Sequence, residues 1–129
     1  MTINATFRTL VLSDPTISTA VGTRMYHDML PAEPTLPAIT YYIVAEPADV
    51  DTHADFYALT RFQTDIHAAT KAQAETLKEA MVTLLHMYTG TVGGQHIVSI
   101  TKDYATDMKE PETGTFRVIQ DFKVRHKGV

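Results

Sequence analysis

Ile97-Val-Ser-Ile-Thr-Lys-Asp-Tyr104 and Thr115-Phe-Arg-Val-Ile-Gln-Asp-Phe-Lys-Val-Arg125 are two apolar-patterned runs, joined by Asp107-Met-Lys-Glu-Pro-Glu-Thr-Gly114. In the second run Phe116, Val118, Phe122 and Val124 alternate with Arg117, Asp121, Lys123 and Arg125, the period of a strand covered on one face. Ile119 and Gln120 break the alternation. Pro111 and Gly114 end the connector, so the segment predicts a hairpin with a long charged tip. A tip of this length and acidity has no role in a core, which makes it a candidate contact surface.

Working back along the chain, Tyr57 to Ala68 shows the same alternation. Phe62, Thr64, Ile66 and Ala68 share one face, and Arg61, Gln63, Asp65 and His67 the other. Ala38 to Ala45 is dense in β-branched and aromatic residues and predicts a strand with both faces at least partly covered. Between these strands, residues 46–55 form an acidic loop with Pro47 and no Lys or Arg.

Three helices are predicted. Thr2 or Asn4 caps the first, with Ile3, Phe7, Leu10 and Val11 on one face. Asp14-Pro15 opens a short second helix, Asp accepting from orphan amides and Pro lacking only a donor that has no partner there. Gly22 ends it. Thr70-x-x-Gln73 is a capping box opening a third helix, whose buried stripe is Ala74, Leu77, Met81, Leu84, Leu85 and Tyr88, with Gly90 as a left-handed cap. Pro31, Pro34 and Pro37 mark residues 23–37 as loop or edge, anchored by Met25, Tyr26 and Leu30. Thr91-Val-Gly-Gly94 predicts a turn leading into a strand. The order is therefore α-β-β-α-β-β: an α+β protein with a mainly antiparallel four-stranded sheet, helices on one face and a long C-terminal β-hairpin. Length, 129 residues, predicts one domain over 1–129.

Composition narrows the function. Eleven basic and fifteen acidic residues give a net charge of −4, and no basic stripe exists to grip phosphates, so specific nucleic-acid binding is not expected. No run is long and apolar enough to span a bilayer, and the N-terminal residues do not follow the pattern of an export signal. With no cysteine, disulfides and thiolate metal sites are excluded. Asp49-x-Asp51-x-His53-x-Asp55 has cation-loop spacing, but Ala54 and Thr60 stand where a calcium loop needs Gly and Glu, so a solvated acidic loop is the better reading. No two histidines are spaced i, i+4 on a helix, no serine lies in a nucleophile elbow, and Thr91–Gly94 lacks a phosphate loop's Gly-Lys ending. No catalytic residue, metal site or cofactor is expected.

Leu12-Ser-Asp-Pro-Thr-Ile-Ser-Thr-Ala-Val-Gly-Thr-Arg-Met-Tyr-His-Asp-Met-Leu-Pro31 with Leu36-Pro-Ala-Ile-Thr-Tyr41, then Ala58-Leu-Thr-Arg-Phe-Gln-Thr-Asp-Ile-His67, the helix from Lys71, and Glu112-Thr-Gly-Thr-Phe-Arg-Val-Ile-Gln-Asp-Phe122, resemble in order and spacing the tail-completion (tail terminator) proteins of long-tailed bacteriophages, with similar parts in prophage and gene-transfer-agent tails. The resemblance covers about residues 8–126 and lies in the order of degenerate motifs. It implies a virion structural protein, assembled in the host cytoplasm, that closes into a homohexameric ring at the head-proximal end of the tail tube. Such a ring stops tube polymerisation and contacts the tail tube protein and the head-neck connector or stopper protein. DNA passes through without specific binding, and no membrane is involved. The family has no catalytic residues to carry over.

The predicted contacts are Glu46, Asp49, Asp51 and Asp55 in one loop, Asp107, Lys109, Glu110 and Glu112 at the tip, and Arg61, Arg117 and Lys123 on the polar strand face. Two alternatives stand beside this reading. One is another neck or tail component that is monomeric when free. The other is a small enzyme pairing His67 with Asp65 or Asp121 as acid and base.

Overall fold

The computed structural model describes residues 2–45, 57–109 and 114–127. Helices α1 (Ile3–Leu12) and α2 (Pro15–Val21) open the chain, followed by strands β1 (Met25–His27), β2 (Ala38–Ala45) and β3 (Tyr57–Ala68). Helix α3 (Lys71–Leu85) then leads to β4 (Gly90–Val92), β5 (Gln95–Lys109) and β6 (Phe116–Lys127). The strands form one sheet in the order β1-β2-β3-β6-β5-β4. β3 and β6 are its centre, paired over their full lengths from Tyr57↔Lys127 to Ala68↔Phe116.

The expected four strands are present as β2, β3, β5 and β6, and their pairings are antiparallel. The sheet is nevertheless six-stranded and mixed, because two three-residue strands extend it. β1 runs parallel to β2, with Met25↔Ile39 and His27↔Tyr41. Its three residues are too few for alternation to register among the surrounding prolines. β4 pairs with Gln95–Ile97 through the Gly93-Gly94 turn, where φ is 56° and 82°. Two successive residues with positive φ make the two-residue hairpin turn that suits the strand twist, and glycine adopts it without penalty. The turn is therefore only Gly93-Gly94, and Gly90–Val92 is strand.

The caps behave as their chemistry requires. The Thr2 side chain accepts from Ala5 N, Asp14 from Thr16 N and Ile17 N, and Thr70 from Gln73 N. Gly22 closes α2 at φ 60°. Gly90 does not close α3: the helix stops at His86, and Met87 takes the left-handed conformation at φ 68°. The chain must turn there to bring Met87 N and Tyr88 O onto Ile100, at 2.8 and 3.2 Å.

All three helices contribute to a single core cluster with the inner face of the sheet. Phe7 of α1 stacks on Phe62 of β3, with ring centroids 4.2 Å apart and planes 4° from parallel, and Tyr41 of β2 flanks both. Leu77, Met81 and Leu85 bring α3 onto the same face.

Polar groups also lie inside this core. Thr6 Oγ1 donates to Gln95 Oε1 at 3.1 Å, Gln95 Nε2 meets His126 Nδ1 at 3.2 Å, and His126 Nε2 meets Thr60 Oγ1 at 2.8 Å. That order of donors puts the neutral imidazole's proton on Nε2. This run of hydrogen bonds ties α1 to β5, β6 and β3. Gln120, the polar exception read in β6, is fully buried, and neither amide atom has a partner. An unpaired buried amide is costly, so Gln120→Leu is expected to raise stability by about 1 kcal/mol, read as a higher urea midpoint at unchanged slope.

Candidate functional site: the uncovered sheet face

The second face of the sheet carries none of the described helices. β3 and β6 alternate strictly, so packing Phe62, Ile66, Val118 and Phe122 inward turns Arg61, Asp65, His67, Arg117, Asp121 and Lys123 outward, as the period-two reading expects. The structure adds that most of these charges are paired across the strands. Arg117 pairs with Asp65, whose other oxygen accepts from Gln63 Nε2 at 3.2 Å. Arg61 Nη2 lies 2.9 Å from Asp121 Oδ2 and 2.9 Å from Asp103 Oδ2, and Lys123 Nζ reaches Asp103 Oδ1 at 3.4 Å. Asp65 and Asp121 are buried within this network, although no helix covers them.

Asp103 joins the face through an irregularity. The β5–β6 register shifts between Lys102 and Tyr104, a bulge that lets Asp103 and Tyr104 both serve this face. Nothing local in the sequence marks this bulge, so Asp103 lies in a predicted strand with no expected role. Tyr42 of β2 lies among the same groups. Burial raises its phenol pKa first, with the Asp65 carboxylate adding to the rise and Arg117 opposing it.

The predicted contact residues divide into three groups. Arg61, Arg117 and Lys123 are brought together on this face, two of them through Asp103. Asp107 and Lys109 point to the opposite, helix side: Asp107 pairs with Lys78 of α3 at 3.2 Å, and Lys109 Nζ lies 5.6 Å from the Phe116 ring centroid. They line a shallow cavity of about 200 Å³ with Lys71, Glu75, Met108 and Phe116. Glu46, Asp49, Asp51, Asp55, Glu110 and Glu112 lie outside the described residues. The tip itself is shorter than the sequence suggests, because Ala105–Lys109 continue β5.

As chemistry, the face offers paired charges. Asp65 is engaged through both oxygens, and His67 Nε2 lies 3.0 Å from Thr40 Oγ1. Asp121 is held by Arg61 through one oxygen, while its buried Oδ1 has no partner among the described residues. Ionisable groups engaged in this way form a surface of paired charges.

Comparison with known proteins supplies the class. The family model described as tail completion protein gp17 matches residues 6–127, and the chain belongs to this family of bacteriophage tail structural proteins. A solved chain from the virion of a native gene transfer agent particle superposes with a TM-score of 0.69 at 17% identity, covering 98% of each chain. A second solved structure superposes with a TM-score of 0.58 at 12% identity, covering 98% of this chain and 94% of that one. At these identities the likeness is one of fold. No curated protein matches the chain.

Proposed function

We propose that this tail completion protein, acting as one domain over residues 1–129, is a tail terminator that closes into a homohexameric ring at the head-proximal end of the tail tube. The observation that carries the reading is the uncovered, internally neutralised sheet face in a chain of this family. A ring requires one patch of each copy to meet a different patch on the next. A face whose charges are largely paired already suits such a contact, because docking on it desolvates pairs instead of lone charges. The tail tube protein and the head-neck stopper are the partners at the two ends of the ring. With a net charge of −4 per copy, a ring of six repels passing DNA instead of trapping it.

Particles assembled without this protein are expected to carry overlong tails detached from heads, as seen by negative-stain microscopy. Tails of normal length in its absence overturn the reading. Averaged images of complete tail ends are expected to show six-fold symmetry, and a single copy there favours a neck component that is monomeric when free.

The acidic segments are the proposed contacts with neighbours. Replacing Asp49, Asp51 and Asp55 together with Glu110 and Glu112 by alanine is expected to shift stability by less than about 1 kcal/mol, since these charged segments carry none of the apolar pattern of the core. Tail completion in a complementation assay is expected to fall sharply. Normal completion by this variant removes the contact assignment and leaves the terminator reading standing.

A further inference from the structure

The sheet has two edges, and the described residues close one of them more fully than the other. At β1, Met25 O accepts from Arg8 Nε at 3.0 Å, Met25 N donates to Thr23 O at 2.8 Å, and His27 O accepts from Met29 N at 3.0 Å. At the other edge, β4 covers Gln95–Ile97 of β5. The residues after α3 then cover Ile100 and Lys102, the latter through His86 Nδ1 at 3.1 Å. From Asp103 to Lys109 the outer backbone of β5 has no strand partner among the described residues. An open run of strand donors and acceptors is a template for another strand. It begins at the bulge and stays regular from Tyr104 to Lys109, in unbroken register with Asp121–Phe116 of β6.

This open run carries two of the large apolar side chains left exposed on the protein, Tyr104 at 51% and Met108 at 43%. By register both stand opposite outward residues of β6, Asp121 and Arg117, and Met108 also borders the cavity beside Lys71 and Glu75. Tyr104 and Met108 are four residues apart with Thr106 midway. An antiparallel pairing of this strand with its own copy, centred on Thr106, sets each Tyr104 directly opposite the other copy's Met108. Directly opposed side chains in such a pair are about 5 Å apart at Cβ, within reach of a sulfur-aromatic contact. On the other face Asp107 meets Ala105, and its charge is already answered by Lys78. The edge is therefore complementary to itself in one register.

We propose that the Tyr104–Lys109 edge of β5 is an interface at which two copies of the free protein pair antiparallel about a two-fold axis through Thr106. The contact is isologous and closes after two copies, so it is separate from the head-to-tail contact of a ring.

The chain has no cysteine, which makes cross-linking a direct test. Opposed residues at the axis have Cα atoms about 5 Å apart, inside disulfide range. Thr106→Cys is expected to form a disulfide-linked dimer under mild oxidation, with Thr83→Cys on the exposed side of α3 remaining monomeric. In sedimentation, the unmodified free protein is expected to show a concentration-dependent dimer, and Tyr104→Lys to weaken it by roughly tenfold or more. Thr106→Cys cross-linking no faster than Thr83→Cys overturns the proposal. So does a free protein that stays monomeric at the highest attainable concentration, or a hexamer in which Thr106→Cys does not cross-link. Should Tyr104→Lys fail to fold, the cysteine comparison still decides. None of these outcomes bears on tail length, so this interface and the terminator function stand or fall separately.

Discussion

Phe62→Ala is expected to lower the unfolding free energy by about 4 kcal/mol, the largest single effect in the protein. Phe62 is fully buried at the centre of the sheet, stacked 4.2 Å from Phe7 and flanked by Tyr41. Alanine there removes the transfer energy of an aromatic ring and leaves a cavity beneath α1. The helix follows the ring, since Phe7 loses its stacking partner. Against a typical total of about 5–15 kcal/mol, a loss of this size brings the domain close to unfolding. Denaturant titration is the measurement. A loss below about 1 kcal/mol would mean that the Phe7–Phe62–Tyr41 cluster does not hold α1 to the sheet. Phe62→Leu is expected to cost less than half as much, because it keeps most of the volume.

Arg117→Ala is expected to cost about 3 kcal/mol, for a different reason. It leaves the Asp65 carboxylate, 4% exposed at its side chain, with Gln63 as its remaining donor among the described contacts. Breaking a buried pair from one side strands a charge, whereas removing both charges does not. The double variant Asp65→Val with Arg117→Met is therefore expected to recover most of the loss, giving a coupling energy of roughly 2 kcal/mol in a double-mutant cycle. Additive losses would show that the two side chains act independently. Tail completion provides a second readout. If the uncovered face is a subunit contact, the double variant folds but completes tails poorly, because an apolar pair now stands where neighbours meet paired charges.

The helices were legible because their signals are local. Asp14-Pro15 and Thr70 each announce a cap within three residues of the amides they satisfy and cap as expected, and of the two candidates Thr2 and Asn4 it is Thr2 that caps α1. Gly90 misled because a left-handed residue was required three positions earlier, at Met87, where the contact with Ile100 decides. The long strands were legible through alternation. β1 and β4, with three residues each, have too few positions to alternate and exist because a longer neighbour offers them an edge. The candidate face was half legible: the sequence lists its charges but not their partners. Arg117 and Asp65 are 52 positions apart, and Arg61 and Asp121 are 60 apart. Asp103 needed a bulge to reach the face at all.

By itself, the sequence determined the three helices and where each begins, the four long strands, the inward side of β3 and β6, and the order of motifs that marks the family. Each of these follows from the chemistry of near neighbours or from a period of two or 3.6 residues. Only the tertiary structure decided the strand order, the pairing of the outward charges, the burial of Gln120 without a partner and the open edge from Asp103 to Lys109. Those depend on which distant segments come to lie side by side, a choice that the whole core makes at once.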